Sequence, residues 1–246
     1  MKLPPAVACL LLLLLVFAAA RVEARGTPSS KRSKNQWSSM FVFGDDFVDN
    51  GNVPNNIGEK TSRQWSYPYG SYLNNHYATS PVLAGRFSNY RMQSDFIARM
   101  LGLNEAPPAY ELTSDQSSDS SGMTFAFGGA GVFKVKTLKQ MLDERDNVHI
   151  LDLYSAFTDI VNHAPGGGSD QSKDFDGKLT PCCESTDEGG FCGERSHSGK
   201  RLYDLCENPD KTFYWDQTHP THAGWEAVMK ALQQPLMEFL DEDYIA

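Results

Sequence analysis

FVFGDDFVDNGN, residues Phe41 to Asn52, puts three carboxylates into five positions directly behind a short apolar run. The segment Trp37 to Phe43 is aromatic and β-branched and stops at Gly44, which predicts a strand running into a turn. The following NGNVPNN is a run of turn formers that cannot continue a helix. Asp45, Asp46 and Asp49 therefore sit on a loop at the end of a strand. That position excludes the DDxxD magnesium-diphosphate site, whose carboxylates share one face of a helix in an all-α cavity. An EF-hand also fails, because setting Gly51 at its turn position puts Val48 where an oxygen ligand is required. Asp45 and Asp49 are expected to cap the turn.

Outward from this stretch, Ser94 to Leu103 has apolar residues at helical spacing and Gly102 near its end, which predicts a helix. Ser114 to Ser121 is a polar loop. Met123 to Phe127 predicts a second strand closing on GGAG (Gly128 to Gly131). Val148 to Leu153 reads as a buried strand, and Tyr154 to His163 as the helix after it. In FYWDQTHPTHAGWEAVMKALQQ an aromatic strand end leads into an amphipathic helix from about Thr221. Strands alternating with helices imply an α/β fold, a parallel sheet covered by helices.

Lys2 precedes an apolar stretch, Ala6 to Ala20, followed by small residues with candidate cleavage sites at Ala18-Ala19-Ala20 and Val22-Glu23-Ala24. Residues 1–24 read as a secretory signal peptide, too short in their apolar part for a membrane span. Residues 25–36 form a polar, disordered lead-in that holds the basic cluster Lys31 to Lys34. Residues 37–246 form one domain. The net charge of −9 would become −10 after cleavage, with Lys2, Arg21 and Glu23 lost. Such an acidic chain is a poor partner for nucleic acid or an anionic membrane. The mature chain is expected to be secreted, extracellular or in the cell wall, and monomeric.

Cys9 falls in the signal peptide, which leaves Cys182, Cys183, Cys192 and Cys206. An even number in a secreted chain favours two disulfides over zinc. Cys182 and Cys183 would each pair with one of Cys192 and Cys206. His76, His149, His163 and His222 have no partner spacing and read as surface or core residues. The aromatic runs at Trp65 to Tyr69 and Phe213 to Trp215 read as packing. Asp216 and His219, three apart, could form the base half of a Ser-His-Asp device.

Together these segments resemble the plant GDSL esterase/lipase family, within the SGNH hydrolases. FVFGDDFVDNGN resembles its first block, FVFGDS-x-x-D-x-GN, and Gly85 to Leu103 resembles its GRFSNG segment and following helix. PPAY with Met123 to Phe133, HILDLYSAF, the cysteine block and YWDQTHPT resemble further blocks, in family order. The resemblance implies a three-layer sandwich around a flavodoxin-like parallel sheet, and hydrolysis of carboxylic esters of lipids or acylated carbohydrates. It implies no metal and no organic cofactor. By position, Asp46 would stand where the family has its nucleophilic serine, Asp216 would orient His219 as general base, and Gly129 or Gly128 would help bind the oxyanion. Asp46 and His219 should then lie within salt-bridge reach.

Two departures stand out. The family's GDS is GDD here, and a carboxylate has no proton for a base to take. The third block, G-x-N-D, is absent between Gly131 and His149, and with it the oxyanion-binding Asn and the central strand. GLNE at Gly102 to Glu105 precedes the second block and does not replace it. The expected enzyme is catalytically impaired; the alternatives are a non-catalytic ester- or glycan-binding relative, or a truncated product without activity.

Overall fold

Strand β1 spans Met40–Val42 and alternates as its sequence predicts, with Val42 inward and Phe41 in solvent. In the computed structural model the described residues are 39–73, 76–113, 121–130, 149–162 and 170–242. The proposed signal peptide, the lead-in, most of the Ser114–Ser121 loop, residues 131–148, where the family's third block would fall, and His163 lie outside them.

β2 (Tyr72–Leu73) and β3 (His76–Tyr77) form a short antiparallel pair. Helix α1 (Gln93–Met100) follows, then β4 (Gly122–Thr124), which pairs with β1 in parallel at Met40↔Gly122 and Val42↔Thr124. The ladder runs on past β4, as the N–H groups of Phe125 and Phe127 donate to Val42 and Gly44 carbonyls. Helix α2 (Leu153–Val161), strands β5 (Cys183–Ser185) and β6 (Tyr203–Leu205), and helix α3 (His222–Glu242) complete the order. Among the described residues this is a small α/β fold with one parallel strand pair, two antiparallel pairs and three α-helices.

The buried strand expected at Val148–Leu153 does not form over its described part. Residues 149–152 are neither helix nor strand, and Ile150 is 47% exposed. An apolar run becomes a buried strand only where a neighbour completes its ladder, and among the described residues β1 pairs with β4 alone.

α1 is fixed at its start by Asp95, whose buried carboxylate accepts from Met92 N–H and takes both arms of Arg86 at 2.8 Å. It ends at Gly102, at φ 88°. α2 begins where Asp152 accepts from Ser155 N–H. α3 begins at Thr221, whose hydroxyl accepts from Gly224 N–H at 2.9 Å; this is the usual N-cap arrangement. Its inner face buries Trp225, Val228, Met229 and Leu232 against Met92 of α1's start and Ala156 and Ile160 of α2. Each such aliphatic side chain stabilises the fold by about 1.5–3 kcal/mol. A second core gathers Tyr69, Tyr203 and Trp215 around the disulfides Cys182–Cys206 and Cys183–Cys192. Phe213 belongs to the first core and Trp215 to the second, so the loop that follows them is anchored on both sides.

Candidate active site

Two loops meet at the site. In the loop after β1, Asp49 is fully buried. Its Oδ1 accepts from Gly51 and Asn52 N–H at 2.8 and 2.7 Å, and its Oδ2 from Val53 and Gly128 N–H at 3.3 and 2.7 Å. Burial pushes its carboxyl up and these donors oppose that. Asn52 holds the same loop to the end of β4 through the Thr124 and Ala126 carbonyls. Asp45 accepts from Phe47 N–H. Asp45 and Asp49 are thus turn formers, as the sequence suggested, and Asp46 is the one of the three whose carboxylate reaches His219.

The second loop is closed by Trp215 N–H donating to the His219 carbonyl at 2.7 Å. Asp216 Oδ1 accepts from Thr218 and His219 N–H, both at 2.9 Å. This turn places His219 Nδ1 at 2.8 Å from Asp216 Oδ1, while His219 Nε2 lies 2.6 Å from Asp46 Oδ2. Asp46, Asp216 and His219 are therefore brought together as expected. His219 is buried, and 27% of the Asp46 side-chain surface remains exposed.

Burial is the largest single influence on His219 and pushes it down, but the hydrogen bonds and charges of Asp216 and Asp46 outweigh it and hold the imidazole above its ordinary value. The hydrogen bond from His219 holds Asp46 low. Burial would raise Asp216, yet His219, Tyr69 and Arg63 carry it well below the carboxylate range. Both ring nitrogens face carboxylates, which favours the imidazolium form of His219, donating to each. A charged imidazole cannot act as a base.

Sequence reasoning missed the residues behind Asp216. Tyr69 OH donates to Asp216 Oδ2 at 2.6 Å and accepts from Arg63 Nε at 2.9 Å, and Arg63 Nη2 lies 3.7 Å from Asp216. Phe87 stacks on His219 at 5.0 Å, and the Arg63 guanidinium lies over the Phe87 ring, 5.1 Å from its centre. Tyr69 had read as packing, and only its place in an aromatic run beside Pro68 marks it. Gly128 must be glycine because a Cβ would meet Phe87 and Val53 under 3 Å, and Gly129 because its φ is 78°. With Gly128 N–H donating to Asp49, the two glycine amides are not equivalent.

Beside the triad, Phe47 packs edge-on to Trp225 and faces Phe157 of α2. It lines a cavity of about 440 Å³ with Leu153, Phe157, Val161, Tyr214 and Thr218. Among the described residues no group of three His, Cys, Asp or Glu side chains is set to hold a metal ion, and no helix is long and apolar enough to cross a membrane.

A GDSL esterase/lipase of Arabidopsis thaliana is 22% identical to this chain, covering 87% of it and 92% of the relative. A second from the same plant is 23% identical, covering 89% and 94%. A third is 33% identical over 109 residues, which cover 44% of this chain and 30% of that relative. The first alignment has 343 positions, more than the 246 residues of the chain. No family model and no solved structure matches. Similarity along most of the chain to several GDSL esterase/lipases of one plant supports membership of the plant GDSL esterase/lipase family.

Proposed function

We propose that the protein is a secreted member of this family that binds a carboxylic ester, of a small molecule, a lipid or an acylated carbohydrate, while its serine route to hydrolysis is closed. The observation that carries this reading is the 2.6 Å pair between Asp46 and His219. Asp46 takes the nucleophile's position, brings no proton, and sets a negative charge where an oxyanion would form. Attack of a carboxylate on an unactivated ester would give an anhydride, which is uphill. Asp216 orients His219, and Gly129, rather than Gly128, offers its amide to the ester oxygen.

The third block is read as deleted from a three-layer flavodoxin-like sandwich. An alignment of 343 positions against 246 residues leaves at least 97 positions unmatched by this chain, which supports that reading. Two disulfides support an oxidising, extracellular or cell-wall location. The chain acts as a monomer, without cofactor, binds no nucleic acid and does not insert stably into a membrane. Calorimetric titration with p-nitrophenyl butyrate, with p-nitrophenol followed in the same sample, tests this. Saturable heat without product is expected; absence of binding would overturn the reading.

A further inference from the structure

We propose that Asp46 is a nucleophile toward strained cyclic ethers, and that the cleft beside Phe47 opens apolar epoxides to vicinal diols. The inference rests on the reading that Asp46 stands at the reacting position, and goes beyond it by naming a reaction suited to a carboxylate. Attack on a carbonyl carbon gives an anhydride; attack on a saturated carbon gives an ordinary alkyl ester, which ring strain makes downhill.

The rest of the constellation fits that step. One oxygen of Asp46 accepts from His219 Nε2 at 2.6 Å, while 27% of the side-chain surface stays open to an incoming carbon. The departing ether oxygen needs a proton, and His219, held between two carboxylates that favour its charged form, is placed to give one from Nε2. This selects an epoxide over an alkyl halide, whose leaving group takes no proton. Phe47, Leu153, Phe157 and Val161 supply an apolar cavity of about 440 Å³ for the remainder of the substrate.

The steps balance. An Asp46 oxygen forms a bond to one ring carbon as that carbon's bond to the ether oxygen breaks. The resulting alkoxide takes the Nε2 proton, which Asp46 holds only weakly once its charge is lost to the ester. His219 is then neutral. Water adds to the Asp46 carboxyl carbon while Nε2 takes one of its protons. The intermediate expels the diol oxygen, which takes that proton, and the acid left at Asp46 passes its own to Nε2. One epoxide and one water give one diol, and Asp216 stays ionised throughout.

The test uses the disulfide-intact mature protein with 1,2-epoxyoctane. In ¹⁸O-water with protein in excess, the first-turnover diol should carry no ¹⁸O, and the peptide containing Asp46 should gain it. No diol above the buffer rate, or ¹⁸O in the first-turnover diol, overturns the proposal, and neither depends on a variant's folding. Asp46→Asn and Asp46→Ser should each fall to the buffer rate; a folded variant that retains the wild-type rate also overturns it. Binding of p-nitrophenyl butyrate without epoxide opening would sink this inference alone and leave the ester-binding reading standing.

Discussion

Asp46→Asn removes one charge from the triad while keeping an oxygen that can still accept from His219, so it isolates the electrostatic part of the contact. Unit charges about 4 Å apart attract by about 4 kcal/mol at an effective dielectric near 20. Desolvation and the partial exposure of Asp46 offset much of that, leaving about 1–2 kcal/mol. Its sign depends on pH. His219 is raised above its ordinary 6.5, so its contribution is complete below that value and is lost as pH rises through the raised one. Asp46 is lowered below its ordinary 3.8, so its contribution is complete above that value and is lost as pH falls through the lowered one. The pair is therefore fully formed between about pH 4 and 6.5. At pH 5.5 the variant should melt about 2–8 °C below wild type, at about 2–4 °C per kcal/mol for a chain of this size. The gap should narrow toward pH 10, and ¹⁵N NMR should find His219 of the variant losing its proton at lower pH than wild type. Equal melting at pH 5.5, or a pH-independent gap with unchanged His219 titration, would refute the reasoning.

Tyr69→Phe takes a donor from a buried ionised carboxylate and should destabilise by about 1.5–3 kcal/mol in urea unfolding. His222 is pushed down to about 4, with burial the largest cause. Unfolded chains bind its proton first, so stability should fall by up to about 3 kcal/mol as pH drops from 6.5 to 4. His222→Gln should flatten that limb of the urea-unfolding profile. Cys206→Ser opens a loop of sequence separation 24 and should lower stability by about 3 kcal/mol, while the unreduced mature protein should show no titratable thiol. Asp46→Ser alone should leave p-nitrophenyl ester hydrolysis at the buffer rate. Adding a family-like third-block insertion between Gln140 and Asn147 should raise it.

Local patterns carried β1, α1, α2 and α3, since period and caps are written within each segment: Asp152 before α2, Thr221 before α3, Gly102 after α1. The triad was legible because Asp216 and His219 lie three apart and the family blocks supply Asp46. Tyr69 and Arg63 were not, because a hydroxyl reaching a carboxylate 147 residues away leaves no periodic trace. The run at Val148–Leu153 misled because its apolar residues state a preference for burial, whereas a strand also needs a partner to complete its hydrogen bonds.

Hydrolysis of p-nitrophenyl butyrate by the wild-type protein bears most directly on the closed serine route. Turnover should equal that of buffer and remain unchanged in Asp46→Asn and His219→Ala. Wild-type turnover well above buffer that both substitutions abolish would contradict it.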